Sequence, residues 1–133
     1  MYKELIKKAA QARENAYAVY SGFMVGAALL CDDGTVFTGC NIENRSFSIT
    51  NCAERTALFK AVSEGKRKFT AIAVLGSPEN TDCMEEQCFP CGACLQALSE
   101  FCSGDFKVIL AEKGSPVVYD FSQLMPMVFS SDF

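Results

Sequence analysis

The chain has 133 residues, half of them hydrophobic (50%) and 21% charged, the balance of a single packed domain over residues 1–133 rather than a disordered tract. A net charge of −4, with no Lys/Arg block that could neutralise a run of phosphates, argues against a nucleic-acid partner. The longest apolar run, residues 24–31, is too short to span a bilayer, and the mixed charge of Met1-Tyr2-Lys3-Glu4-Leu5 is not that of a secretion signal, so a cytoplasmic protein with no membrane partner is expected.

Leu5, Ile6, Ala9, Ala12 and Ala16 recur at spacings of three and four and predict an amphipathic helix over 3–18. Residues 25–31 and 35–40 read as two strands around the turn Asp32-Asp33-Gly34. Residues 41–51 read as a polar loop. A helix follows over 52–64, with Gly65 as its stop. Residues 70–75 form an apolar run of strand length. Pro90 opens a further helix over 91–101, at the position where a missing N–H costs nothing. Residues 107–111 and 117–121 are two more strands. A hairpin followed by strands alternating with helices implies an α/β fold, a three-layer α/β/α sandwich on a mixed five-stranded sheet.

Histidine is absent, which removes every His-based dyad and every His metal ligand, whereas cysteine occurs eight times. A chain of this size buries enough core to need no disulfides, so the thiols fit a reducing compartment. Cys91-Gly92-Ala93-Cys94 at a helix start suits a dithiol redox pair, a zinc grip, or two buried small residues. Cys52 also sits at a predicted helix start. Three thiolates from two helix N-termini make a three-ligand zinc site with a fourth position open, the arrangement of a catalytic zinc. Arg55 could hydrogen-bond a ligand sulfur and offset the net charge of −1 on three thiolates and Zn²⁺. Glu54 has two readings: a capping box with Asn51, or a carboxylate poised to take a proton from a metal-activated water. A rival set, Cys83, Cys88, Cys91 and Cys94, has the spacing of a closed structural zinc site, which would do no chemistry.

Cys52-Ala53-Glu54-Arg55-Thr56 together with Pro90-Cys91-Gly92-Ala93-Cys94-Leu95-Gln96 resembles the paired motif of the short, homotetrameric cytidine deaminases. The wider zinc deaminase class carries a His-x-Glu and a Pro-Cys-x-x-Cys signature with a glutamate that is not a ligand; here Cys52 stands at the His position. Phe23-x-Val25-Gly26-Ala27-Ala28, Gly39-Cys40-Asn41-Ile42-Glu43-Asn44 and Pro126-x-x-Phe129 extend the likeness over most of the chain.

The resemblance implies one zinc per subunit on Cys52, Cys91 and Cys94, with Glu54 as proton shuttle. It implies that Asn41 and Glu43 bind the ribose hydroxyls, that Phe23 packs on the nucleoside and that the Ala53 backbone meets the pyrimidine. Phe129 and the loop around Phe47 are implied to reach a neighbouring subunit's pocket in a homotetramer with shared active sites. The implied reaction is hydrolytic deamination of free cytidine and deoxycytidine to uridine and deoxyuridine, a step of pyrimidine salvage. Water activated on zinc attacks C4, and Glu54 carries protons to N3 and to the departing ammonia. Arg45, Phe47, Leu95, Met127 and Val128 depart from the residues usual in the family and bear on the 5′ end of the substrate and on subunit contacts. Three alternatives are a deaminase of another aminonucleoside, such as blasticidin S, a structural-zinc binding module, and a thiol oxidoreductase built on Cys91 and Cys94.

Overall fold

Alternation along the strands decides which side chains face which helix layer. The structure is a computed structural model that describes residues 2–129. β1 (Phe23–Cys31) and β2 (Val36–Cys40) form the hairpin. Its turn is closed by the Gly34 N–H bonding the Cys31 carbonyl at 3.1 Å, with Gly34 at φ 90°. β3 (Phe69–Pro78) pairs antiparallel with the other side of β1, β4 (Lys107–Glu112) runs parallel to β3, and β5 (Ser115–Asp120) closes the far edge antiparallel to β4. The order β2-β1-β3-β4-β5 is the expected mixed five-stranded sheet.

α1 (Lys3–Arg13) covers one face, where Leu5, Ile6 and Ala9 meet Ala28, Ala71, Ala73, Leu75 and Ile109. α2 (Ala53–Ser63) and α3 (Gly92–Ser99) cover the other, where Ala57, Leu58 and Leu98 meet Ala27, Leu29, Ile72, Val74, Val108 and Leu110. Ala27 faces one layer and Ala28 the other, as a period of two requires. Burying these two faces drives the three-layer assembly.

Several local expectations are corrected. α1 stops at Arg13 rather than 18, because Glu14, Asn15 and Ala16 tighten into three-residue turns and Tyr17 leaves to bridge Ile42. The segment 41–51 is not a plain polar loop. Ile42 and Asn51 exchange backbone hydrogen bonds of 2.9 and 3.0 Å, and Phe47–Ile49 forms a 3₁₀ turn between them. Asn51 and Glu54 form no capping box: the N-cap of α2 is Cys52, and the Asn51 amide donates instead to Thr56 Oγ1 at 3.2 Å. Pro90 does not open α3; it precedes the N-cap, Cys91. Phe121 lies past the last strand and starts a short helix, α4 (Phe121–Leu124), whose Asp120–Gln123 capping box holds the turn. Gly65 ends α2 as expected, at φ 94°, with its N–H on the Val62 carbonyl and the Lys66 N–H on that of Ala61.

Candidate active site

α2 and α3 point their N-termini at one spot. Cys52 and Cys91 are the N-cap residues, both in extended backbone, and Cys94 lies in the first turn of α3. The three sulfurs lie within 4.8 Å of one another. Cys52 Sγ stands 3.9 Å from Cys91 Sγ, and Cys91 Sγ 3.5 Å from Cys94 Sγ. Sulfur ligands about 2.3 Å from a tetrahedral zinc stand about 3.8 Å apart, so the trio fits that ion. Three donors leave one tetrahedral position for water or substrate.

The polar surroundings suit clustered negative charge. Arg55 Nη2 donates to Cys52 Sγ at 3.4 Å, while its buried Nε finds no partner among the described residues. Hydrogen bonding from Cys94 and Arg55 holds the Cys52 thiol well below the ordinary thiol range. The same contact with Cys52, together with burial, pushes Cys94 well above the ordinary thiol range. Ligation by zinc takes all three as thiolates. Glu54, the second residue of α2, is 4% exposed, and burial pushes its carboxyl up to about 7, with the charge of Cys52 adding to the rise.

The closed four-cysteine site is overturned by the sheet itself. Cys83 packs against the cluster on the α1 face and Cys88 against the cluster on the α2/α3 face. Neither joins the sulfur trio, the one such metal-competent group among the described residues.

The remaining predicted residues lie on the helix start, the sheet ends and two clefts. Ala53, fully buried, is the first residue of α2. Phe23 begins β1 and lines a cleft of about 360 Å³ with Gly76, Ser77, Pro78 and Thr81. Asn41 continues β2 by side chain: its Nδ2 donates to the Phe23 carbonyl at 2.8 Å and its Oδ1 accepts from the Val25 N–H at 2.9 Å. Glu43 is tied to the turn before β1, accepting from the Tyr20 and Ser21 N–H groups at 3.0 Å each and from Ser21 Oγ at 2.5 Å. Burial, the largest single effect, raises its carboxyl, and the three bonds from Ser21 and Tyr20 together outweigh it and hold the carboxyl below the usual range. Glu43 and Phe47 line a second cleft of about 330 Å³ with Tyr20, Ser21 and Thr50, and the Phe47 ring meets Tyr20 edge-on at 5.8 Å. Phe129 is 75% exposed, and its carbonyl accepts from Gln96 Nε2 of α3 at 3.3 Å. The sequence reading missed Ser21, whose hydroxyl and N–H grip Glu43; a lone serine in a turn carries no signal for that contact.

The family model described as the cytidine and deoxycytidylate deaminase zinc-binding region matches residues 1–111. The chain is 49% identical over 131 residues to the cytidine deaminase of Sporosarcina psychrophila, covering 98% of this chain and 92% of that protein. It is 50% identical over 129 residues to the cytidine deaminase of Halalkalibacterium halodurans, covering 96% and 93%. The crystal structure of cytidine deaminase from Burkholderia pseudomallei superposes with a TM-score of 0.87 at 45% identity, covering 97% of this chain and 99% of that one. No described helix is long and apolar enough to cross a membrane. Both motif halves that meet at the two helix starts lie inside the matched region, and the chain belongs to the cytidine and deoxycytidylate deaminase zinc-binding family.

Proposed function

We propose that this chain hydrolyses cytidine and deoxycytidine to uridine and deoxyuridine, releasing ammonia. The observation that carries this is the juxtaposition of a three-sulfur metal site with a buried carboxyl, Glu54, two residues along the same helix start. Zinc held by Cys52, Cys91 and Cys94 supplies Lewis acidity that brings a water toward neutral pKa.

The chain's own groups do the rest. Glu54 accepts a proton from the attacking water as the water oxygen bonds to C4 of the pyrimidine. It delivers that proton to N3 and then moves the second to the 4-amino group, which leaves as ammonia. Burial, which disfavours the charged form of this carboxyl, suits it to both halves, taking up a proton and giving it back. Arg55 tempers the charge of the sulfur set through Cys52. Phe23 packs on the nucleoside, Asn41 and Glu43 meet the ribose hydroxyls, and the Ala53 backbone meets the base; Asn41 reaches the Phe23 backbone directly, which joins two of these roles in one contact.

The same reading makes the substrate a free nucleoside, because an acidic chain whose longest basic run is Lys66-Arg67-Lys68 has too little positive charge in one place to hold a polynucleotide. It makes the whole chain one catalytic domain in pyrimidine salvage. A cytoplasmic setting is supported by eight free cysteines, which suit a reducing compartment. A homotetramer with shared active sites is supported by Phe47, Phe129 and Met127, large apolar side chains that one chain alone leaves mostly in water. The test is ammonia release from zinc-loaded protein given cytidine, deoxycytidine and cytidine 5′-monophosphate in parallel. Turnover of the two free nucleosides is expected; silence on both with zinc still bound would reject the substrate assignment.

A further inference from the structure

Arg13 closes α1 and turns inward, where it is 5% exposed. It lies on the buried stripe of Leu5 and Ala9, spaced by four residues each time, so the helix delivers a guanidinium where an apolar side chain would be expected. Among the described residues the one carboxylate within 4 Å of it is that of Glu14, whose side chain is largely in solvent. A buried guanidinium is tolerated only when its donors are met. Here they are met mainly by backbone. Nε donates to the Met24 carbonyl at 3.1 Å, and Nη2 to the Ser77 and Pro78 carbonyls at 3.2 and 3.0 Å and to Ser77 Oγ at 2.9 Å.

These acceptors share one location. Met24 follows Phe23 at the start of β1, and Phe23 and Met24 lie opposite Pro78 and Ser77 at the end of β3. Ser77 and Pro78 line the same cleft as Phe23. Arg13 stands behind that wall and ties its two strands together in one planar fork. Its backbone is pinned as well: a Cβ built on Gly26 of β1 would stand 2.5 Å from the Arg13 nitrogen and 2.9 Å from its Cα. The backbone of 23–25 is therefore gripped twice, by the Asn41 side chain at Phe23 and Val25 and by Arg13 at the carbonyl between them.

We infer that Arg13 is a positioning residue of the nucleoside pocket, fixing Phe23 against the β3 wall without touching substrate. This rests on the reading of Phe23 as a nucleoside contact. The fork geometry matters more than the charge, because one ammonium cannot meet the carbonyls of Met24, Ser77 and Pro78 in one plane. A wall that contacts substrate and transition state alike supplies uniform binding, and loosening it raises KM with kcat unchanged.

The test is a double-mutant cycle on zinc-loaded protein, with cytidine as substrate and KM and kcat measured separately. Arg13→Lys should raise KM about tenfold and leave kcat within about twofold, with zinc content unchanged. Ser77→Ala, which removes a single partner of the fork, should raise KM about threefold and serves as the cycle's second arm if Arg13→Lys fails to fold. In a Phe23→Ala background each change should add less than about 1.5-fold, because the residue being positioned is gone. A lowered Tm with unchanged KM would make Arg13 a structural staple and overturn the inference, as would a full KM effect in the Phe23→Ala background. Wild-type protein without cytidine turnover would instead sink the deaminase reading and take the inference with it.

Discussion

Gly39 lies so close to Ala57 that a Cβ built on it would stand 2.5 Å from the Ala57 amide nitrogen. The Ala53 carbonyl oxygen would be 2.6 Å away, so β2 runs directly beneath the first turn of α2. That turn carries Cys52, Glu54 and Arg55. Gly39→Ala must push α2 outward, which should destabilise the protein by about 1–3 kcal/mol and weaken zinc retention along with activity. Thermal unfolding and zinc content of the variant check this; a variant with native zinc content and turnover would show that the turn can yield without consequence.

Zinc content alone separates the sulfur trio from the four-cysteine alternative. Cys52→Ser should lose the metal, and Cys83→Ser, on the α1 face of the sheet, should keep it. The reverse pattern in purified protein would reinstate the closed site.

Glu54 should be needed for chemistry and not for metal. Glu54→Gln preserves shape in a site that is 4% exposed but removes the carboxyl that moves protons. Turnover should fall by at least about 100-fold while one zinc per chain is retained. Single-turnover ammonia release, read beside metal content, measures both; near-normal turnover would remove Glu54 from the mechanism.

Arg55→Gln tests the charge balance at the sulfurs. Losing the Nη2 bond to Cys52 should lower zinc affinity by about 10–100-fold, measured by competition with a chelator of known strength. An unchanged affinity would mean that the guanidinium only fills space.

The sheet, the helix layers and the metal centre were legible in the sequence because each rests on a local pattern. The apolar run at 25–31 beside the turn Asp32-Asp33-Gly34 and the 3–4 spacing from Leu5 to Ala12 are local signals of buried elements, and two cysteine motifs at helix starts need only to be brought face to face. The errors have a common physical origin in contacts made across the chain. The residues after Arg13 keep a helical spacing through Ala16, yet Tyr17 is claimed by Ile42, and no local propensity reports that bridge. The capping box of Asn51 and Glu54 was plausible chemistry, but the helix starts one residue later, on a cysteine. The four-cysteine zinc set failed because sequence spacing does not show that Cys83 and Cys88 pack on opposite faces of a sheet.

Cys52 and Cys91 hold the positions where helices ordinarily place serine, threonine, aspartate or asparagine, and neither side chain bonds the N–H groups of its helix. Both helices therefore begin on ligands rather than on self-contained stops. Metal loading and the local stability of these two segments become one linked equilibrium: as free zinc rises above its dissociation constant, the native state deepens by RT ln(1 + [Zn]/Kd). Such a protein reads the metal supply of its surroundings in its lifetime as well as in its activity. Scarcity would first loosen the starts of α2 and α3, while α1, packed on the opposite face of the sheet, stays folded.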